Sequence, residues 1–233
     1  MTSVTGDGLH VLALIPAYEE GPRIGAVVAA AGRHLPVVVV DDGSSDDTAA
    51  NAEAAGATVL LQVPNAGKGA ALRAGFRHAL EQGAEAAVTL DADGQHDPAE
   101  IPAFLAAFAE SRQELVIGRR DFSAMPPIRR ASNTLGGLVF SAAVGRSIPD
   151  NQSGYRLIGR RLMTALLDSD EDGFEFEVEM IAVAIALGLP IGWVPIRTIY
   201  AGAPSHIRPW AHFTEFLRAT GKARRRIRGG TSA

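Results

Sequence analysis

No cysteine occurs in this chain of 233 residues, which excludes disulfides, thiolate zinc sites and cysteine nucleophiles. That agrees with a reducing compartment. Long apolar runs are missing too. A membrane span needs about 20 apolar residues. The run at 135–144 is too short, and the one at 181–196 is broken by Gly188, Pro190 and Pro195. Residues 1–20 have no basic region and already carry Pro16, Glu19 and Glu20, so no signal peptide is expected. The expectation is a cytoplasmic protein, soluble or peripheral on the inner face of the cell membrane. Aromatic side chains make up only 6%, and no nucleic-acid motif is present, so nucleic acid is not an expected partner.

A chain this long buries roughly 70% or more of its unfolded surface, so no covalent staple is needed. One large domain, with or without a small appendage, fits the length. The net charge of −4 hides an asymmetry: from Arg197 onward there are eight Lys/Arg and one acid, Glu215, against 14 basic and 25 acidic residues before it. Six of those basics, Arg218, Lys222, Arg224, Arg225, Arg226 and Arg228, fall close together near Phe213, Phe216, Leu217 and Ile227. A plain tail and an anionic-membrane contact are the two readings of that stretch.

The first half alternates regularly. Apolar runs at 9–15, 37–40, 58–62, 86–90 and 115–117 read as strands, and 22–34, 48–55, 70–81 and 98–110 as helices. Such βαβ units give a parallel sheet with right-handed crossovers. The second half is less regular: a proline-containing loop at 121–128, a small-residue helix at 129–144, a loop at 151–156 entering a short strand, a helix at 160–167 and a strand at 191–200. Between them, 174–187 alternates Phe174, Phe176 and Val178 with Glu175, Glu177 and Glu179. On a strand these glutamates line a polar face; on a helix, 175 and 179 share one.

In parallel sheets ligands sit at the carboxyl ends of strands. Four polar clusters follow strands there: Tyr18/Glu20, Asp41/Asp42, Asn65/Lys68 and Asp91/Asp93/Gln95. Two carboxylates at i and i+2 can converge on one hard cation, Mg²⁺ or Mn²⁺, and leave its other positions to water and phosphate oxygens. Asp42 can accept hydrogen bonds from a nucleoside while a neighbour caps the next helix. The glycines beside Lys68 let backbone approach an anion, although this is no Walker A loop, because Gln62 stands where its first glycine belongs. An EF-hand fails at His96 and Pro102, where it needs Gly and Glu. A phosphatase of the haloacid dehalogenase type, with Asp91 as nucleophile, stays as an alternative. A nucleotide-sugar binder without turnover is another. Arg119/Arg120 and Arg129/Arg130 flank the 121–128 loop, and His206 and Arg208 lie farther on; guanidinium forks match phosphate oxygens.

Taken together, Ile15-Pro-Ala-Tyr-Glu-Glu20, Val40-Asp-Asp-Gly-Ser-Ser45, Asn65-Ala-Gly-Lys-Gly69, Leu90-Asp-Ala-Asp-Gly-Gln-His-Asp-Pro98, Ile117-Gly-Arg-Arg120, Gln152-Ser-Gly-Tyr-Arg156 and Ser205-His-Ile-Arg208 resemble the family 2 glycosyltransferases of the GT-A fold, most closely the polyprenyl-phosphate (dolichyl-phosphate mannose synthase-like) branch. The resemblance implies an α/β fold with a Rossmann-like, mostly parallel sheet and a short antiparallel acceptor-side portion. It spans 1–208, a nucleotide-sugar half at about 9–118 and an acceptor half at about 119–208, with 209–233 as a basic amphipathic C-terminal helix or tail. It further implies an inverting transfer of a hexose from a GDP-mannose or UDP-glucose type donor to a polyprenyl phosphate. By position, Pro16, Tyr18, Glu20 and Asp42 contact the nucleoside and Lys68 the diphosphate. Asp91, Asp93 and Gln95 hold the metal, and Asp93 with Arg119 and Arg130 carries the chemistry. Arg119, Arg130, Gln152, Glu177, His206 and Arg208 surround sugar and acceptor. A hydroxyl acceptor needs a general base, for which Asp150, Glu175 or Glu177 stands available.

Overall fold

The computed structural model of the protein describes residues 8–124, 127–173, 175–197, 199, 218 and 220–227. Strands β1 (Val11–Ala17), β2 (Val37–Asp41), β3 (Thr58–Leu61), β4 (Ala86–Thr89), β5 (Leu115–Arg120), β6 (Arg156–Gly159) and β7 (Ile191–Ile196) form one sheet in the order β3-β2-β1-β4-β6-β5-β7. β6 runs antiparallel to both neighbours, and every other neighbouring pair is parallel. Its first residue, Arg156, pairs with Thr89, the last of β4. The loop feeding β6 is therefore delivered to the same rim as the carboxyl ends of the parallel strands. Beside β1 the chain passes on one side to β2 and on the other to β4, a switch point of the kind that opens a crevice.

Helices α1 (Gly21–Ala31), α2 (Thr48–Ala54), α3 (Lys68–Glu81), α4 (Ile101–Ser111), α5 (Pro127–Val144), α6 (Arg160–Leu166) and α7 (Glu175–Ala186) cover both faces. Alternation along the strands decides which core each residue enters. Val11, Ala13 and Ile15 of β1 pack with Ile24 of α1 and Phe104 of α4. Leu12 and Leu14 join Leu72 and Phe76 of α3, Phe140 of α5 and Phe176 of α7. Each fully buried aliphatic side chain contributes about 1.5–3 kcal/mol by area. Gly75 of α3 sits against Leu14 so closely that a Cβ there would meet the leucine methyls. That glycine lets α3 lie on β1.

The structure shifts several boundaries. β5 continues through Arg119 and Arg120 because β7 pairs with it to its last residue. α3 begins at Lys68 rather than 70, and α5 at Pro127, inside the expected loop. The 174–187 segment is helical from Glu175, not a strand: its apolar residues from Phe176 on bury almost all round. Residues 220–227 are helical, with Ala223 buried and Ile227 packed against the core that α7 shares. Lys222 pairs with Glu171 and Arg226 with Glu179. The expected boundary at 208 lies outside the described residues. Among the described residues no helix is long and apolar enough to cross a membrane.

Candidate active site

Three loops at the rim are tied to one another. Glu19 holds a left-handed backbone, φ 55°, its amide donates to Ser44 Oγ, and its carboxylate accepts from the Ser45 amide at 2.8 Å. That clasp joins the β1 loop to the β2 loop, and Tyr18 beside it is exposed. Pro16 is the last residue but one of β1, and Glu20 pairs with Arg23 at 2.8 Å. Asp42 corrects an expectation. Its carboxylate accepts from Gln62 Nε2 at 2.6 Å and from the amides of Ala66 and Gly67, both at 2.8 Å. It is buried, and as placed it holds the lysine loop in position instead of presenting itself to a nucleoside. Asp46, not Asp41 or Asp42, accepts the Thr48 amide at the start of α2.

Lys68, the first residue of α3, projects into the centre of the rim. Its Nζ donates to Asp91 Oδ1 at 2.5 Å and to Glu177 Oε1 at 2.7 Å. Burial disfavours the ammonium, but the two carboxylates outweigh it and hold the lysine above its ordinary pKa. Burial likewise works to raise Asp91, yet Lys68 overcomes it and keeps that carboxyl below the usual range. Gly154 packs so tightly here that a Cβ would lie 2.8 and 2.9 Å from the Asp91 oxygens and 3.0 Å from Glu177. Asp93 turns to Gln95, accepting from its amide at 2.9 Å and its Nε2 at 2.7 Å. The solvent-facing role open to Glu177 is corrected: α7 buries it.

The flanking glycines also carry a different meaning. A Cβ on Gly67 or Gly69 would collide with the carbonyl of Asp172 or Glu171, and the Gly69 amide donates to Asp172 at 2.7 Å. Gly67 also sits at φ 96°, where side chains are strained. They let the lysine loop dock on the segment before α7. His96 was missed by sequence reasoning beyond its place in the motif. It is buried, its Nδ1 accepts from the Asp91 amide at 3.1 Å, and its ring lies 5.0 Å from Tyr155. Burial lowers its pKa, so it fixes the Asp91 backbone as a neutral ring.

On the acceptor side, Arg119 and Arg130 are both exposed. The Asp121 carboxyl nearby is held below its ordinary pKa, first by hydrogen bonds from Ser123 and more weakly by the charges of Arg119 and Arg130. Arg120 faces the other way. Its Nε and Nη2 clasp Asp150 at 2.8 and 2.9 Å. Asp150 is buried in that fork, which suits an anchor for the loop and not a general base, correcting its candidacy. Gln152 is exposed and its amide donates to Asp150 at 3.2 Å. Arg156, the largest fully buried side chain, reaches the carbonyls of Ser153 at 2.7 Å, Glu177 at 2.5 Å and Asn151 at 3.2 Å. It ties the 151–154 loop to α7. The Arg129 side chain, His206 and Arg208 lie outside the described residues.

With this geometry in place, the comparisons decide the family. The Glycosyl transferase family 2 model matches residues 13–166. The chain belongs to the family 2 glycosyltransferases. It is 33% identical over 203 residues to the undecaprenyl-phosphate mannosyltransferase of Micrococcus luteus, covering 81% of this chain and 83% of that protein. It is 30% identical over 214 residues to the UDP-N-acetylglucosamine–dolichyl-phosphate N-acetylglucosaminyltransferase of Methanococcus voltae, covering 80% and 84%. Its fold is that of glucosyl-3-phosphoglycerate synthase from Mycobacterium tuberculosis, crystallised with Mn²⁺, UDP and phosphoglyceric acid, with a TM-score of 0.72, 22% identity and coverage of 94% and 79%. The chain is thus a GT-A glycosyltransferase, and the phosphatase alternative has no support.

The donor set at the end of β4 fits a hard divalent cation. Asp91 and Asp93 offer only oxygens, the donor type such an ion prefers, and Asp91 already pairs with one positive charge, the ammonium of Lys68.

Proposed function

We propose that this enzyme transfers a hexose, with inversion, from a nucleoside diphosphate sugar to a polyprenyl phosphate. Two relatives of about one third identity are named for undecaprenyl- or dolichyl-phosphate acceptors, which supports the acceptor class. The observation that carries it is the state of the carboxylates. A hydroxyl acceptor requires a base, yet two of the three candidates are engaged, Asp150 by Arg120 and Glu177 by Lys68, which leaves Glu175 alone for that role. A phosphate monoester needs none, because its second proton leaves near about pH 6.

On this reading Asp91, Asp93 and Gln95 hold Mg²⁺ or Mn²⁺. Bound there, the ion supplies Lewis-acid neutralisation of the departing diphosphate. Lys68 adds a second positive charge beside it. Pro16, Tyr18 and Glu20 border the nucleoside, in a crevice whose wall Asp42 holds. Arg119 and Arg130 grip the acceptor phosphate, and Gln152 lies close to the transferred sugar; His206 and Arg208 complete this group by sequence alone. A phosphate oxygen bonds to the anomeric carbon as the bond to the diphosphate breaks, and the nucleoside diphosphate leaves with that electron pair. Arg218, Arg224 and Arg225, exposed on the C-terminal helix, face an anionic membrane surface.

A Mn²⁺-supplemented thermal-shift panel of UDP, GDP, CDP and their sugars identifies the donor. Product analysis with a short polyprenyl phosphate and a simple alcohol then separates the acceptors. The expected product is a glycosyl phosphoprenol; sugar found only on the alcohol contradicts the proposal.

A further inference from the structure

Resting on the glycosyl-transfer reading, we infer that Lys68 is an exchangeable stand-in for the metal ion. It occupies Asp91 until a cation and a nucleoside diphosphate arrive together, and then moves to the diphosphate.

Three observations carry this. The first is the 2.5 Å contact of Nζ with Asp91 Oδ1, which saturates one of the oxygens a cation needs. The second is Asp93, whose two oxygens both accept from Gln95. Among the described residues no group of three or more His, Asp or Glu converges as a ready metal cluster. The third is Glu177, which gives Lys68 a second anchor at 2.7 Å on an element remote in sequence. A cation entering alone must displace an ammonium from Asp91 while that ammonium stays bonded to Glu177, with two positive charges crowded together. A diphosphate relieves that crowding, because it offers Lys68 new acceptors on the same side of the rim. The fixed parts of the site are consistent with a moving lysine. Gly154 and the His96 bond to the Asp91 amide hold the aspartate still, while the lysine carries its charge on an unbranched four-carbon stem that can swing to a new acceptor. Metal and nucleotide therefore bind with strong mutual enhancement, and the lysine is the linkage.

The chain contains only two lysines, Lys68 and Lys222, so the ammonium is directly readable. In protein labelled with ¹⁵N at lysine Nζ, Mg²⁺ alone should leave the Lys68 signal in place, and Mg²⁺ with the preferred nucleoside diphosphate should shift it. By calorimetry, Lys68→Met should bind Mn²⁺ without nucleotide at least tenfold more tightly than wild type. The enhancement of Mn²⁺ affinity by nucleotide should fall at least tenfold in that variant. Circular dichroism checks its fold, and the wild-type lysine signal gives an answer even if the variant does not fold. Unchanged Mn²⁺ affinity in Lys68→Met, or a Lys68 signal indifferent to metal plus nucleotide, overturns the inference alone. Wild-type protein that binds neither Mn²⁺ nor any nucleoside diphosphate overturns the glycosyl-transfer reading and this inference with it.

Discussion

Around Asp42, Lys68 and Asp91 the carboxylate oxygens have protein partners, whereas Arg119, Arg130 and Gln152 are exposed. The donor side is built by loops that clasp one another across the sheet: Glu19 to Ser45, Asp42 to Gly67, Lys68 to Glu177. The acceptor side keeps only its scaffold fixed, through Arg120 with Asp150 and Arg156 with three carbonyls. A small, polar donor suits preformed walls. A long lipid phosphate suits cationic groups left open to solvent, where steering matters more than enclosure.

The largest effect should come from removing the second carboxylate of the donor side. Asp93→Ala should lower turnover by about 10³-fold or more, since a Lewis-acid contribution is worth several kcal/mol. Its melting temperature should stay close to wild type, because among the described residues the Asp93 carboxylate bonds to Gln95 within its own turn. Wild-type rates would remove the metal assignment. Next comes Gly154→Ala, which pushes a methyl against both Asp91 oxygens. Turnover should drop about 100-fold, as sub-ångström misplacement commonly costs, and urea unfolding should show a loss of about 1–3 kcal/mol from overpacking.

Asp42→Asn sharpens the contrast differently. An amide cannot accept all three bonds that the carboxylate now takes, so a buried donor goes unmatched, at about 1–3 kcal/mol. Urea denaturation should register that loss, and the KM for the donor should rise more than the KM for the acceptor. Smallest in stability are Arg119→Ala and Arg130→Ala, within about 0.5 kcal/mol of wild type as exposed sites. Each should raise the acceptor KM about tenfold or more, the worth of a charge-assisted bond, with donor KM unchanged. Equal rises for both substrates would erase the distinction between the two ends.

The parallel frame was legible because its signals are local. The unbroken valines at 37–40 and the regular strand–helix spacing needed no knowledge of distant partners, and β2 formed over Val37–Asp41. The rim position of Lys68, Asp91 and Asp93 followed from the same pattern. What could not be read were pairings made in three dimensions. Lys68 and Glu177 are 109 residues apart, and Arg73 meets Asp172 across 99. Residues 174–179 leave strand and helix open, because the alternation of glutamate with phenylalanine and valine covers only a few positions, whereas the apolar residues after them demand a buried helix. Gly67 and Gly69 carried the glycine signal of an anion loop, but the close approach they allow is to Asp172. Asp42 and Asp150 were read as ligand-facing acids, and their partners turned out to be Ala66, Gly67 and Arg120.

The most direct test is crystallographic: crystals grown with Mn²⁺ and the nucleoside diphosphate chosen by thermal shift, measured at the manganese absorption edge. An anomalous peak shared by Asp91 and Asp93, with Lys68 withdrawn from Asp91 onto the diphosphate, is the predicted result. A nucleotide seated in the crevice with its manganese elsewhere, and Lys68 still bonded to Asp91, would contradict it.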